Sequence, residues 1–177
     1  MQFDGSCLEQ GTPLASCGAG VAAWLVTDEG VSLIAQRAVP LVDGKDSAEA
    51  EAFASAQAIL LAVELKQKAA FEEVEFQGDN TAAVGFWSGT SRFKGLRIQH
   101  ILEEARDAIL YQLGVFEWKY LPRECNSTAD HLAGIASQLL LDLRRSEASE
   151  EELLALQCEP QTDQVLGSAP LLSLIHI

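Results

Sequence analysis

The sequence is poor in positive charge. Twelve Lys and Arg stand against 26 Asp and Glu, for a formal net charge of −14. Nonspecific binding to a phosphate backbone relies on Lys and Arg displacing counterions, so this balance opposes such binding as the general habit of the chain. Cysteine is scarce too. Cys7, Cys17, Cys125 and Cys158 form no CxxC pair and show no metal-binding spacing, and they read as free thiols in a reducing compartment. No apolar run approaches the ~18 residues that a membrane helix needs. The opening "MQFDGSCLEQ" lacks the basic and apolar regions of a signal peptide. The expectation is an intracellular protein of nucleus or cytoplasm, not secreted and without a membrane partner. No internal repeat occurs.

Apolar residues, by contrast, make up 48% of the chain, ample for a sizeable core. Residues 1–8 begin with a short strand ending in "DGS". Gly18–Thr27 and Val31–Val39 read as strands joined by the turn Asp28-Glu29-Gly30, which makes a three-stranded antiparallel meander. Asp46 to about Lys68 is rich in strong helix formers. Glu73–Gly78 alternates as a half-buried strand and runs into a short helix. Leu96–Leu113 has helical periodicity ended by Gly114, Val115–Leu121 is a fifth strand, and Ser127–Leu143 is the last strong helix. This order predicts a mixed sheet with helices on both faces and right-handed crossovers.

Beyond Arg145 the composition changes. Residues 142–177 carry seven acids and two bases. "SEASEEELLALQ" predicts an acidic amphipathic helix, and "CEPQTDQVLGSAP" has no periodicity and reads as linker or disorder. The expected organisation is one domain over 1–145 and an acidic tail over 146–171, partly helical or disordered. Residues 172–177 read as translated sequencing-adapter read-through rather than native protein.

Four acidic positions fall at the ends of core elements: Asp4 in "FDGS", Glu49 or Glu51 in "SAEAEAFA", Asp79 in "QGDN", and Asp130 in "NSTADHLA". Each has a structural explanation. Asp-Gly is a common turn pair, a Glu in a first helical turn suits the macrodipole, Asp79 suits an N-cap, and Ser127 to Asp130 has capping-box spacing. Together they point elsewhere. Clustered carboxylates raise one another's pKa, and a fold keeps such a cluster when a divalent cation compensates it. Mg²⁺ prefers a few carboxylates with water and phosphate oxygens.

These motifs carry a resemblance. "FDGSC" (Phe3–Cys7), "AEAFA" (Ala50–Ala54), "GDN" (Gly78–Asn80) and "LPRECNSTADHLAGIA" (Leu121–Ala136), in this order, resemble the type I ribonuclease H domain of retroelements and plant-type relatives, over about residues 1–143. The resemblance implies a ribonuclease H-like α/β fold, with a five-stranded mixed sheet of three antiparallel strands and then two parallel. It also implies a metal-dependent endonuclease that cuts the RNA strand of RNA–DNA hybrids, derived from a retroelement polyprotein, with a reverse transcriptase domain of the parent chain as a partner. The catalytic and metal-binding set is Asp4, Glu51, Asp79 and Asp130, holding two Mg²⁺ ions or Mn²⁺ for a two-metal mechanism. Helical periodicity leaves Glu49 and Glu51 equivalent; the resemblance selects Glu51, which small residues follow at three and seven places. Candidate substrate contacts are Gly5, Ser6, Cys7, Asn80, Arg123 and Asn126, with Arg92, Lys94 and Arg97 on DNA phosphates. Trp87, Phe86 and Phe93 read as core in preference to stacking on sugars.

Three departures qualify the resemblance. Only three residues precede Asp4, so the first strand is short and the chain reads as a fragment. The family's loop histidine, ten places before the last aspartate, is Tyr120 here, and a phenol with pKa near 10 does not shuttle protons at neutral pH. "EQGTPLASC" is insertion-like where the family approaches RNA. The alternative function is a catalytically inactive domain of the same fold that binds nucleic acid or protein.

Overall fold

The computed structural model describes residues 1–68, 71–146 and 149–158. Five strands and five helices follow the expected order: β1 (Gln2–Leu8), β2 (Ser16–Thr27), β3 (Gly30–Leu41), α1 (Ser47–Lys68), β4 (Glu73–Gly78), α2 (Thr81–Trp87), α3 (Leu96–Tyr111), β5 (Val115–Tyr120), α4 (Ser127–Arg145) and α5 (Glu150–Cys158). A 3-10 turn at Arg123–Cys125 precedes α4. The strands form one sheet in the order β3-β2-β1-β4-β5. β1, β2 and β3 pair antiparallel, and β4 runs parallel to both β1 and β5.

The central β1 is the strand that organises the site. Gly20 of β2 lies opposite Asp4, and Phe3 lies opposite Gly78 of β4. Side chains alternate across the sheet. On one face Phe3, Val21 and Phe76 pack beneath α1 and α3 in the larger core cluster; on the other, Ala22 and Ala38 pack beneath Leu132 and Ala136 of α4. Phe76, Trp118 and Trp87 form a stacked aromatic column, with ring centroids 4.4 and 5.4 Å apart. Trp87 also donates to Ser55 Oγ at 2.9 Å, and Phe86 and Phe93 pack against the same core.

The strand and helix positions agree with the sequence to within a few residues, and the differences have simple causes. β2 and β3 run longer than expected because Cys17 to Thr27 stays in register with Gly30 to Leu41, through one bulge at Ala23/Trp24, and Ser16 pairs with Leu8 of β1. Asp4-Gly5 is no turn: both residues lie inside β1. The insertion-like stretch becomes the β1–β2 hairpin loop, with Thr12 N bonded to the Glu9 carbonyl. α5 forms within the acidic tail. The expectations for residues 159–171 and for 172–177 lie outside the described residues. No helix among the described residues is long and apolar enough to cross a membrane.

Candidate metal centre

Two glycines bring both helix starts onto Asp4. A Cβ on Gly5 would stand 2.4 Å from Ala50 C and Glu51 N, so only glycine lets the first turn of α1 approach β1 this closely. A Cβ on Gly20 would stand 2.0 Å from the Ala129 carbonyl oxygen and 2.4 Å from Ala133 N, so glycine likewise admits the start of α4 on the opposite face. Glu51 comes down from one side, and Asp130, next to Ala129, from the other.

Asp79 follows the C-terminal end of β4, where open α/β sheets place their ligands. It does not cap α2. That role belongs to Asn80, whose Oδ1 accepts from Ala82 N at 2.9 Å and Ala83 N at 3.1 Å. The Asp79 carboxylate is left to the cluster. One oxygen each from Asp4, Glu51 and Asp79 lie within 4.8 Å of one another. Glu49 faces elsewhere: it accepts from Arg97 Nε at 2.8 Å and from Lys45 N at 3.0 Å. The geometry thus separates two glutamates that helical periodicity leaves equivalent.

The electrostatics follow from this crowding. Burial raises the Asp4 pKa to about 8, helped by the charge on Glu51, by hydrogen bonding with Asp79 and by the Asp79 and Asp130 charges. Burial also raises Glu51 to about 7, with the Asp79 charge adding to it and the Asn80 side chain, the Gly5 amide and Arg123 opposing it. Glu51 Oε2 is buried without a hydrogen-bond partner. A buried carboxylate oxygen with no donor, on a side chain that stands beside two other carboxylates, is a costly arrangement without a cation. The donor set is all oxygen and hard, which fits Mg²⁺ or Mn²⁺.

Asp130 stands beside this triad rather than within it. Its Oδ1 accepts from Arg123 Nη2 at 3.0 Å, although it is near enough to raise the Asp4 pKa. No capping box forms: α4 begins at Ser127, and its cap residue Asn126 makes no side-chain cap bond.

The remaining candidates divide. Arg92 and Lys94 are exposed on the loop between α2 and α3. Arg97 is engaged by Glu49 and the Asp43 carbonyl. Ser6 Oγ accepts from Ser137 Oγ at 3.1 Å, and Cys7 is half-buried. Asn126, a candidate hydroxyl or phosphate contact, has a structural duty. It is fully buried, and its amide donates to the Phe3 carbonyl at 2.9 Å, which ties the start of α4 to the residue before Asp4. Residue type alone marked it as a polar loop residue. The contribution of Gly20 was also missed, though the small residues of "GAGVAA" were its signal.

A family profile described as reverse transcriptase-like matches residues 2–136. The chain belongs to the reverse transcriptase-like family. A search of curated proteins finds no match. Among solved structures, this reverse transcriptase-like chain is similar to ribonuclease H1 from Halobacterium salinarum (23% identity, TM-score 0.59, covering 76% of this chain and 93% of that one). It is similar to the N-terminal ribonuclease H domain of rv2228c from Mycobacterium tuberculosis (21%, TM-score 0.65, 83% and 97%). It is also similar to LC11-RNase H1, solved in complex with an RNA/DNA hybrid (19%, TM-score 0.63, 79% and 96%). The fold is ribonuclease H-like.

Proposed function

We propose that this reverse transcriptase-like domain is a ribonuclease H that hydrolyses the RNA strand of RNA–DNA hybrids. The observation that carries the reading is the convergence of Asp4, Glu51 and Asp79 within 4.8 Å, from three separate elements. Asp4, Glu51, Asp79 and Asp130 would hold two divalent cations, Mg²⁺ or Mn²⁺. When bound, such cations supply the Lewis acidity that activates water and offsets charge developing on a phosphodiester.

The protein's own groups prepare the site. Gly5 and Gly20 set the helix starts, and Asn80 takes the capping duty that would otherwise engage Asp79. Arg123 holds Asp130 at the rim, and exchange of that ion pair would bring the fourth carboxylate into play. Hybrids are recognised by shape and by 2′-OH groups, for which the β1 backbone at Gly5–Cys7 and the exposed Arg92, Lys94 and Arg123 are the proposed contacts. Arg97 would act by bracing α3 on Glu49. The family supports an origin in a retroelement polyprotein with a reverse transcriptase domain.

The test is cleavage of a labelled hybrid with Mg²⁺ or Mn²⁺, beside Asp79→Asn. Cleavage by the parent and not the variant supports the reading; hybrid binding without cleavage in both supports a non-catalytic binding module. The Arg123–Asp130 pair favours this second reading, since it ties up the fourth acid.

A further inference from the structure

β1 and β2 carry two thiols face to face. Cys7 and Cys17 lie directly opposite each other in the antiparallel register, and both are free. The kind of pairing follows from alternation along β1. Gln77 N donates to the Met1 carbonyl at 2.7 Å, so Met1 turns its main-chain groups toward β4. Phe3, Gly5 and Cys7 then do the same, and Gln2, Asp4, Ser6 and Leu8 turn theirs toward β2. Cys7↔Cys17 therefore lies between two hydrogen-bonded pairs, the setting in which opposed Cα atoms approach to about 4.5 Å. A disulfide spans Cα separations of about 4.4–6.8 Å, so the pair is within bonding range. Both side chains belong to the α1 face, Cys17 within the larger core cluster and Cys7 packed against it.

The two thiols are not equivalent. Cys17 is fully buried, and Gly44 packs so closely on it that a Cβ there would stand 2.9 Å from its Sγ. Cys7 is half-buried and is the thiol that solvent reaches. Burial raises the pKa of both, and the bond between the thiols lowers Cys7 and raises Cys17 further, so Cys7 ionises first. Cys17 is also joined to the start of α1. Its Sγ donates to the Asp46 carbonyl at 3.6 Å, and Asp46 caps the helix by accepting from Glu49 N at 2.9 Å and Ala50 N at 3.1 Å. Those amides belong to the turn that brings Glu51 to Asp4.

We infer that Cys7 and Cys17 are a redox couple, which a small-molecule disulfide oxidises to a cross-strand bond that loosens the first turn of α1. The Cys7 thiolate attacks one sulfur of the oxidant and releases one thiol. The Cys17 thiolate then attacks the Cys7 sulfur of that mixed disulfide and releases the second. The two cysteines lose two electrons and two protons, and the oxidant leaves as two thiols. Opposed Cβ atoms on such strands stand about 4.5 Å apart or more, against the ~3.8 Å mean of a disulfide. Closure therefore strains the ladder, and a strained bond is the readily reversed kind. It also draws the Cys17 sulfur toward Cys7 and removes the S–H that Asp46 accepts. The inference stands apart from the proposed nuclease activity.

The probe is a series of reduced and oxidised glutathione mixtures, equilibrated with the unaltered full chain. Peptide mapping should give a Cys7–Cys17 link that grows with the oxidised fraction, survives Cys125→Ser and is reversed by dithiothreitol. Cys17→Ala should stop at the mixed disulfide, with one glutathione on Cys7. Cys7→Ser should slow modification of the buried Cys17 by about tenfold or more. Amide hydrogen exchange at Glu49 to Glu51 should run about two- to fivefold faster in the oxidised chain. In Cys7→Ser the same amides should not respond to the mixture, because Cys17 keeps its bond to Asp46. Circular dichroism confirms that each variant folds, and the link itself is read on the unaltered chain. Absence of the link in the most oxidising mixture, glutathione on both cysteines in place of the link, or unchanged exchange at the start of α1 would each overturn the inference.

Discussion

Asp79 and Asn80 divide two duties between adjacent side chains. Asn80 Oδ1 accepts from Ala82 N and Ala83 N, and Asp79, relieved of the cap, joins Asp4 and Glu51 within 4.8 Å. Asn80→Ala should cost about 1 kcal/mol by loss of the cap and lower the melting temperature by several degrees. Asn80→Asp keeps an acceptor at the cap and should recover most of that loss at low pH. It should recover less at high pH, where it adds a charge beside Glu51. Thermal melts of the three proteins at two pH values test this.

The glutamates of α1 provide a second test. Glu51→Gln should lower metal-dependent cleavage by at least about 100-fold, because even residues one step removed from a metal typically cost 10–100-fold. Glu49→Gln leaves one acceptor oxygen where the buried carboxylate gives one to Arg97 Nε and the other to Lys45 N. It should cost about 1–3 kcal/mol of stability and leave cleavage within about threefold of the parent. Equal losses in both variants would refute the assignment of Glu51.

The raised carboxylates predict an inverted pH response. Asp4 and Glu51 have folded pKa values of about 8 and about 7, against about 4 in an unfolded chain. Between those limits the folded state binds more protons than the unfolded state, so stability falls as pH rises. Without divalent cation, the melting temperature should decline from pH 5 to pH 8. Mg²⁺ at pH 8 should restore it, since a ligand that binds only the folded state stabilises it, and Asp79→Asn should flatten the slope. Glu75, whose pKa is lowered chiefly by Lys119, acts in the opposite sense and below this window. A melting temperature that rises over pH 5–8 in chelator would contradict the account.

Two glycines of different surroundings should respond with opposite signs. Gly20→Ala drives a methyl into the Ala129 carbonyl and Ala133 N. It should destabilise by about 1–3 kcal/mol and reduce cleavage by displacing Asp130. A Cβ on Gly134, within α4, meets nothing within 4 Å. Gly134→Ala should stabilise by up to about 1 kcal/mol, since Ala is the better helix former. Chemical denaturation of both variants measures the contrast.

Tyr120 lies opposite Gly78, the residue before Asp79, and is exposed. Tyr120→His should raise turnover at pH 7, because imidazole exchanges protons there and phenol does not. An unchanged rate removes proton transfer at this position from the mechanism.

Much of this was legible in the chain. Alternation in "VEFQG" and the Ala, Leu and Glu content of α1 set element types, because strand and helix periods place side chains on different faces. The four acids stood out through their motifs. What stayed hidden was partnership. Asn126 and Asn80 look alike as polar residues at helix starts, yet one is fully buried on the Phe3 carbonyl and the other caps α2. That Arg97 has Glu49 as its neighbour is equally invisible in the chain. Such pairings join residues dozens of positions apart, where no local pattern reports them.

By itself, the sequence determined the order of strands and helices, the apolar surfaces that make a mixed sheet with two covered faces, and which four acids stand out. These follow from periodicity and residue chemistry, which act locally. Tertiary structure alone decided that Glu49 engages Arg97, that Asp130 rests on Arg123, and that Asn126 holds the Phe3 carbonyl. Each depends on how closely two backbones approach. That distance is set where Gly5 meets α1 and Gly20 meets α4, contacts that exist only after the chain has folded.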